Sequence, residues 1–357
     1  MLKKIGKTLA YLLLTILLLL AGSLVYSTIT DFQPAVGSSV LNSSTKITTK
    51  PVDDNVYEAV IWNIGYAGLG KEMDFFNDGG KMVRATNEQA TSYSKGINTY
   101  LDGLDSIDFV LLQEVDSNSK RSYYQDQVTG ISNLFPTHQP YFAVNYKVDF
   151  VPVPLALPYT PYGKTYAGLL SLSKFPVQNA ERVQYPGSFD WPTKIFMLDR
   201  CYLQQRIKLP NGKDLLIINT HNTAYDETGE LKKGELEYLK KQLEPEIQKG
   251  NYIVVGGDFN QCPPTVSPTK FSQNVADGYT KSSITKDLLP SGFTIAADTS
   301  VSSNRSADFP VGDKTYFSTI DFFLTSPNIE ILETKTLKQN FEYSDHEPVY
   351  LRFRIKQ

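Results

Sequence analysis

The chain carries polar side chains where its most apolar segments end, and this pattern constrains the fold more than any other feature. Residues 57–65 and 107–115 are typical of buried strands, and Asn63 and Glu114 lie at their ends. A buried carboxylate is costly unless it is paired or bound to a metal. The chain is therefore expected to fold so that several strand ends meet and compensate one another's charge.

Four further segments repeat the pattern. They are Thr220-His221, Gly257-Asp258-Phe259-Asn260, Ile320-Asp321 and Ser344-Asp345-His346. Taken singly, an Asn or Asp at a strand end more often caps a turn than takes part in chemistry. Taken together, oxygen ligands without thiolates suit a hard cation such as Mg²⁺ or Mn²⁺. The chain has 3 histidines, and His221 and His346 both belong to this set.

Short apolar segments predict many strands and few long helices. Helical spacing of apolar residues predicts one helix within residues 84–104 and another around Leu236, Leu239 and Leu243. Further strands are predicted at residues 141–148, 168–173, 202–209, 215–221, 252–257, 293–297, 319–325 and 349–355. Residues 260–290 are predicted to be a long polar loop. This α/β mixture with several hairpins favours stacked mixed sheets with helices outside.

The N-terminal segment is predicted to be a targeting or membrane-anchoring segment and not part of the globular fold. Three lysines (Lys3, Lys4, Lys7) precede an apolar run over residues 9–29. A bilayer core takes about 20 helical residues, so the run is long enough to span it. The basic flank normally stays in the cytoplasm, which places the rest of the chain outside.

These features predict three parts of the chain. Residues 1–30 are the expected anchor, 31–55 a Ser/Thr-rich linker, and 56–357 the catalytic domain. The expected location is therefore the cell membrane, with one span and the domain outside the cytoplasm. The alternative is a signal peptide cleaved near Ala21-Gly22-Ser23, which would make the protein secreted.

Charge and cysteine content narrow the function further. The net charge is −3 and the pI is about 5.8, whereas proteins that grip long duplexes non-specifically usually carry a basic surplus. Cys201 and Cys262 show no zinc-binding spacing, and whether they pair stays open. The sequence has no Gly-x-Ser-x-Gly nucleophile elbow, which argues against a metal-independent esterase.

The ordered motifs resemble those of the endonuclease/exonuclease/phosphatase superfamily. That group includes apurinic endonucleases, DNase I-like nucleases, inositol polyphosphate 5-phosphatases and bacterial sphingomyelinases. The matching motifs are Trp62-Asn63, Gln113-Glu114-Val115, Thr220-His221, Gly257-Asp258-Phe259-Asn260, Ile320-Asp321 and Ser344-Asp345-His346, with a further match at residues 168–176. The resemblance spans residues 57–357. It implies a four-layer α/β sandwich of two packed mixed β-sheets flanked by helices, here preceded by the N-terminal transmembrane helix.

The resemblance also implies a role for each matched residue. Glu114 would hold Mg²⁺ (or Mn²⁺), with Asn63 and Asp345 as further ligands or their close neighbours. Asp258 would orient or deprotonate the attacking water. The implied phosphate contacts are His221, His346 oriented by Asp321, Asn260, and Arg200 in the segment before a strand.

The function expected from these features is Mg²⁺-dependent hydrolysis of phosphodiesters or phosphomonoesters outside the cytoplasm, by a monomer without a protein partner. A sphingomyelinase-like phosphodiesterase acting on lipid head groups is the alternative. A non-catalytic surface binding module would be expected to lose motif residues, and none is lost. The proline-rich apolar segment at residues 150–162 is expected to pack on the domain, with contact to a membrane interface as the alternative.

Overall fold

A computed structural model of the chain describes residues 2–34, 38–39, 41–42, 56–272 and 283–356. The helices in these ranges are α1 (Leu2–Ile29), α2 (Asn87–Asp102), α3 (Gln127–Leu134) and α4 (Glu230–Gln248). The strands are β1 (Ser38–Ser39), β2 (Leu41–Asn42), β3 (Val56–Asn63), β4 (Phe109–Asp116), β5 (Gln139–Val151), β6 (Gly163–Ser173), β7 (Asn179–Gln184), β8 (Cys201–Lys208), β9 (Asp214–His221), β10 (Tyr252–Asp258), β11 (Thr294–Ala296), β12 (Asn304–Arg305), β13 (Phe317–Ser318), β14 (Asp321–Thr325), β15 (Ile329–Thr336) and β16 (Val349–Ile355).

The long strands form two mixed sheets. The first sheet has the order β15-β16-β3-β4-β6-β5-β2, and the second has the order β1-β7-β8-β9-β10-β14-β11. Within them β3 runs parallel to β4, and β9 runs parallel to β10. The other neighbouring pairs are antiparallel. The strands β12 and β13 form a separate two-stranded ribbon.

The central strand β3 explains why the predicted strands are apolar on both faces. Val60 and Trp62 belong to the buried cluster that includes residues of α2 and α3. Ala59 and Ile61 point the opposite way and pack against residues of the second sheet. Successive side chains of a strand alternate between its faces, so a strand covered on both sides needs a continuous apolar run.

The second sheet repeats this arrangement. Ile217 of β9 and Val254 of β10 pack in the cluster between the sheets. Ile218 and Val255, the next residue of each strand, pack with Leu239 and its neighbours on α4. The layers are therefore helices, sheet, sheet and helix, and the predicted four-layer α/β sandwich is confirmed.

Helix α2 begins at Asn87, inside the predicted range, because Thr86 forms a capping box. The Thr86 hydroxyl accepts the Gln89 backbone N–H at 3.2 Å, and the Thr86 backbone N–H donates to the Gln89 side chain at 2.9 Å. These bonds satisfy donors that the first helical turn leaves without intrahelical partners.

Several elements were not predicted, among them the short helix α3 and the strands β7 and β15. Both strands have many partly exposed or exposed residues, so neither shows a long apolar run in the sequence. The predicted linker also contributes structure, since β1 pairs with β7 and β2 pairs with β5. The remaining linker residues, 35–37, 40 and 43–55, lie outside the described residues, as do residues 273–282 of the predicted polar loop.

Within the described residues, α1 is the one helix long and apolar enough to cross a membrane. Its last turns contact the domain. The Tyr26 hydroxyl donates to Asp149 at 3.0 Å, and the Trp191 indole N–H donates to the Thr28 hydroxyl at 3.1 Å. The cysteines Cys201 and Cys262 are both buried and unpaired.

Candidate active site

The two parallel strand pairs bring four of the predicted residues to one edge of the sandwich. Strands β3 and β4 both run toward this edge, where Asn63 and Glu114 lie. Strands β9 and β10 end there with His221 and Asp258, which are direct partners in the ladder. Parallel strands present their carboxyl ends together, so the register brings the members of each pair side by side, and the packing of the two sheets joins the pairs.

Two antiparallel strands start at the same edge and supply the rest. Asp321 begins β14 and is the ladder partner of Asp258. Val349 begins β16 opposite Ile61 of β3, so the preceding residues Asp345 and His346 lie at this edge as well. The structure therefore brings Asn63, Glu114, His221, Asp258, Asp321, Asp345 and His346 to one end of the two packed sheets.

Glu114 lies in a β-bulge. The register of β4 against β6 shifts between Leu112 and Val115, and Glu114 has a φ of 54°. A positive φ is uncommon for a residue other than glycine, and bulges redirect side chains next to functional sites. The Glu114 carboxylate accepts the Asn63 side-chain amide at 3.2 Å and lies 3.8 Å from Arg121.

The Asp258 carboxylate is buried at the centre of the site. Its Oδ1 accepts the Asn260 backbone N–H at 2.8 Å, and its Oδ2 accepts the Asn63 amide at 3.1 Å. The same Oδ2 lies 3.5 Å from His221 Nε2 and 3.7 Å from His346 Nε2. Two hydrogen bonds thus fix its orientation between the two histidines.

His346 forms a buried pair with Asp321. Its Nδ1 lies 2.9 Å from Asp321 Oδ2, and the Ser303 hydroxyl donates to that same oxygen at 2.8 Å. Burial alone opposes a charged ring, but the carboxylates of Asp321 and Asp258 raise the pKa of His346 well above its ordinary value. The two carboxylates therefore favour the charged form of the ring.

His221 has the opposite character. Burial first, and then the nearby positive charge of Arg200, lower the pKa of His221 well below its ordinary value. Its Nδ1 has no hydrogen-bond partner among the described residues, while its Nε2 faces the carboxylates of Glu114 and Asp258. A neutral ring with its proton on Nε2 fits this surrounding best. The pKa values of the two histidines are therefore shifted in opposite directions.

Asp345 and Glu114 are the carboxylates best suited to a divalent cation. Asp345 is buried, and burial raises its pKa to about 7, so a cation beside it would favour the ionised form. Gly65, with a φ of 49°, lies so close that a Cβ there would be 3.0 Å from Asp345 Oδ1. Glu114 keeps partial exposure toward the cavity, and carboxylate oxygens are ligands that Mg²⁺ accepts.

Asn63, predicted to be a ligand or its neighbour, is placed as a bridge. Its Oδ1 accepts the Gly65 backbone N–H at 3.0 Å, and its Nδ2 donates to both Glu114 and Asp258. A second group, Asp258 with Asp321 and His346, also offers three ligand atoms within 4.8 Å of one another. In that group Asp321 and His346 already bond each other, which leaves the ring as an oriented donor.

The remaining predicted residues line the same cavity, whose volume is about 150 Å³. Arg200 lies immediately before β8, and burial lowers its pKa; its Nη1 has no partner among the described residues. Asn260 has a φ of 50° and donates its side-chain amide to the Asn222 carbonyl at 2.8 Å. Both side chains therefore line the side of the cavity that the second sheet forms, where they could contact a bound anion.

Three further residues at the site were not singled out by the sequence. Arg121 is buried, pairs with Asp116 at 2.8 Å and lies over the Tyr66 ring at 3.8 Å. The Asn304 side-chain amide lies 3.2 Å from His346 Nε2, and Lys232 of α4 donates to the Asn260 carbonyl at 3.3 Å. None of the three follows an apolar strand, so the pattern that revealed the other residues could not reveal them.

Comparison with known proteins agrees with this geometry. A family model described as Endonuclease/Exonuclease/phosphatase family matches residues 61–346. No curated protein matches the chain.

Solved structures share the fold at low identity. An endonuclease/exonuclease/phosphatase from Beutenbergia cavernae is 17% identical, with 84% of this chain and 72% of that chain covered and a TM-score of 0.56. TDP2 from D. rerio, complexed with single-strand DNA product, is 13% identical, with 84% and 100% covered and a TM-score of 0.52. ANGEL2, a 2′,3′-cyclic phosphatase in complex with adenosine-2′,3′-vanadate, is 14% identical, with 88% and 100% covered and a TM-score of 0.54.

Proposed function

The chain belongs to the endonuclease/exonuclease/phosphatase family and is a phosphoester hydrolase of that type, and from this premise we propose a Mg²⁺-dependent phosphodiesterase that acts outside the cytoplasm. The observation that carries the proposal is the buried Asp258 carboxylate, which lies 3.5 Å from His221 Nε2 and 3.7 Å from His346 Nε2. Such an arrangement places a general base for the attacking water next to hydrogen-bond donors for the phosphoryl oxygens.

Asp258 acts as the general base in this proposal. The Asn260 backbone N–H and the Asn63 amide each take one oxygen of the carboxylate, so its orientation is set before substrate binds. A water placed beside Asp258 would lose its proton to this carboxylate as it attacks phosphorus. Preorganised groups of this kind cost little reorganisation at the moment of reaction.

The two histidines bind the phosphoryl oxygens. His346, charged and oriented by Asp321, donates from Nε2 to one non-bridging oxygen, and neutral His221 donates to the other. In-line attack increases charge on these oxygens, so both donors bind the transition state better than the ground state. Arg200 and Asn260 hold the phosphate from the side of the second sheet.

Glu114 and Asp345 would hold the divalent cation, with Asn63 fixing the orientation of Glu114. A bound Mg²⁺ or Mn²⁺ supplies a Lewis acid for a phosphoryl oxygen and for the leaving oxygen. The chain contributes to this site in two ways. The bulge fixes the direction of the Glu114 side chain, and burial raises the pKa of Asp345, so that a nearby cation would favour ionisation of this carboxyl group.

The domain is proposed to face the outside of the cell. Lys3, Lys4 and Lys7 lie at the start of α1, before its apolar run, and basic flanks of a single span normally remain in the cytoplasm. We retain residues 1–30 as anchor, 31–55 as the connection and 56–357 as the catalytic domain. We also retain a monomer without a protein partner.

The proposal is tested with the full-length chain purified in detergent and assayed with Mg²⁺ on bis-p-nitrophenyl phosphate. Asp258→Asn is expected to lower turnover by about 10²–10⁴-fold, because general-base catalysis typically contributes that much. The matched control is Asp313→Asn, an exposed aspartate away from the cavity, which should retain wild-type turnover. Wild-type turnover in Asp258→Asn with an unchanged melting temperature would refute the assignment.

The substrate class is tested with the same preparation on single-strand DNA, plasmid DNA, sphingomyelin and phosphatidylinositol phosphates. Nucleic acid is the first candidate, since similar folds are found in a protein bound to a DNA product and in a cyclic phosphatase bound to an adenosine derivative. A lipid head group is the second candidate, favoured by the exposed apolar hairpin that leaves the site edge next to α1. The Asp258→Asn variant should lose activity on whichever substrate the wild type cleaves.

A further inference from the structure

The loop between β5 and β6 is anchored on the domain by the buried side chains of Val151 and Tyr162, but residues 155–160 are exposed and do not pack on the domain as expected. Leu155 is 80% exposed and Leu157 is 93% exposed, and Phe150, Val153 and Tyr159 are exposed as well. Trp191, on the connection between β7 and β8, is 56% exposed. Contiguous exposed apolar side chains on a soluble surface mark an interaction site. We name this set of exposed side chains the apolar rim; it consists of Phe150, Val153, Leu155, Leu157, Tyr159 and Trp191.

The apolar rim borders the end of α1. Tyr26 donates to Asp149, which immediately precedes Phe150, and Thr28 accepts the indole N–H of Trp191. Two separate rim segments are therefore bound to the last turns of α1, the helix that, among the residues the structure describes, is long and apolar enough to cross a membrane. A lipid bilayer around α1 would reach the rim without any movement of the domain.

The order of the contacts gives the direction of the loop. Tyr26 contacts Asp149, whereas Phe32, later in the chain, lies under Lys147, with 5.4 Å between the ammonium nitrogen and the ring centroid. The later residue of β5 therefore lies beside the earlier residue of the N-terminal segment, so β5 runs toward the apolar part of α1 as it passes from Lys147 to Asp149.

The catalytic residues lie at the same edge of the sheets. Strand β6 begins at Gly163 beside the loop, and its Gly168 and Ala167 pair with Val115 and Asp116, next to Glu114. Trp191 lies on the connection that leads to Arg200 and β8. The loop, Trp191 and the cavity therefore all lie at one end of the sandwich.

We propose that the apolar rim docks onto the outer surface of the bilayer that α1 spans, so that the catalytic edge faces the lipid head groups. The side-chain chemistry fits a lipid interface: leucines at the tip, and Tyr and Trp near the anchor, where aromatic side chains favour the head-group level. The occupant we propose is a lipid surface because the rim is joined to α1, whose length and exposed apolar side chains suit the core of a bilayer.

The test uses fluorescence of the full-length chain reconstituted in vesicles of phosphatidylcholine and phosphatidylglycerol, without substrate. The chain has 2 tryptophans: Trp62 is 1% exposed in the core, so Trp191 is the accessible one. Replacing the lipid with its acyl-brominated form should quench the emission of Trp191 by at least about twofold, since interfacial segments lie about 5–10 Å into the boundary of the acyl chains. Trp191→Phe should remove the quenched component.

Two matched variants locate the contact. Both carry Trp191→Phe, and one adds Leu157→Trp at the tip, while the other adds Gln248→Trp near the end of α4, at the opposite edge. Brominated lipid should quench the first and leave the second unchanged. The double variant Leu155→Ser/Leu157→Ser should restore most of the Trp191 emission, because it removes the apolar tip.

Three results would overturn the proposal. Equal quenching of Leu157→Trp and Gln248→Trp would mean that the domain has no preferred face toward the bilayer. Quenching of neither would mean that the rim lies in water. Emission that depends on protein density and not on brominated lipid would assign the rim to a second copy of the chain. None of these readouts requires hydrolysis, so failure here and failure of the proposed reaction are distinguishable.

Discussion

At the scale of single residues, the site works by giving similar side chains different environments. His346 and His221 both lie within 4 Å of Asp258, yet one has its pKa raised and the other has it lowered. The difference arises from neighbours: Asp321 bonds His346 directly, whereas His221 is buried beside Arg200. The fold thereby obtains a cationic donor and a neutral donor from the same residue type.

The His346–Asp321 pair leads to a pH prediction. Asp321→Asn removes the negative charge that raises the pKa of His346, so the imidazolium should be lost at a lower pH than in the wild type. The high-pH limb of turnover should then move to lower pH, and maximal turnover should fall by about 10²-fold or more. A pH profile of hydrolysis measures both effects. A high-pH limb that does not move would contradict the role assigned to His346.

At the scale of elements, a polar side chain beside one strand can hydrogen-bond to the next strand. Burial raises the pKa of such a carboxyl group, whereas the hydrogen bond lowers it. Asp108 precedes β4, and its carboxylate accepts the Glu58 backbone N–H of β3 at 3.0 Å. Burial raises the pKa of Asp108 to about 6 despite this bond. The folded protein therefore binds a proton here more tightly than the unfolded chain does.

This shift gives a prediction about stability. Because the folded-state pKa is raised, Asp108 lowers the free energy of unfolding as pH rises through the range from about 4 to about 6. Asp108→Asn keeps a hydrogen-bond acceptor without the charge, so it should be more stable than the wild type by about 2 kcal/mol at pH 8, and equally stable near pH 4. Urea unfolding at both pH values measures the difference.

The control for Asp108 is Asp105→Asn, an exposed aspartate of the same connection. It should change the free energy of unfolding little at either pH, since surface substitutions away from buried groups usually fall within about 0.5 kcal/mol. A stabilisation of Asp108→Asn that is the same at both pH values would argue against burial of its charge as the cause.

At the scale of the whole molecule, the site joins the two sheets. Glu114 and Asn63 come from strands of the first sheet, whereas Asp258 and His221 come from strands of the second. Hydrogen bonds cross between them, as from Asn63 to Asp258 and from Gln113 to Asn219 at 2.7 Å. Groups that bind here therefore bind only when both sheets are correctly packed, which couples ligand binding to folding.

That coupling predicts a response to metal removal. Mg²⁺ at 100 times its dissociation constant should raise the free energy of unfolding by about 2.7 kcal/mol, because it binds the folded chain and not the unfolded chain. Thermal unfolding with Mg²⁺ and with a chelator measures the shift. Glu114→Gln should abolish it, and Glu333→Gln, an exposed residue of β15, should retain it. An undiminished shift in Glu114→Gln would place the cation elsewhere.

The sequence alone was enough to predict the core elements and the order of the motif residues at the candidate site. Apolar runs and helical spacing depend on which faces are buried, and this is a local property of the chain. They correctly predicted the core strands, α2, α4 and the apolar helix α1, although edge strands such as β7 lack the signal. The motif residues at the strand ends were likewise readable in order, because each follows or precedes an apolar run.

Only the tertiary structure decided how those residues are used. The bulge that redirects Glu114 depends on the register of β4 against β6. The bond between Asp321 and His346 joins residues that are distant in sequence, and the placement of Arg121 and Asn304 likewise depends on the tertiary fold. Sheet register sets such contacts, and no local periodicity encodes it. Tertiary packing also sets the exposure of Leu155 and Leu157. The sequence shows that both residues are apolar, but it does not show which residues lie beside them.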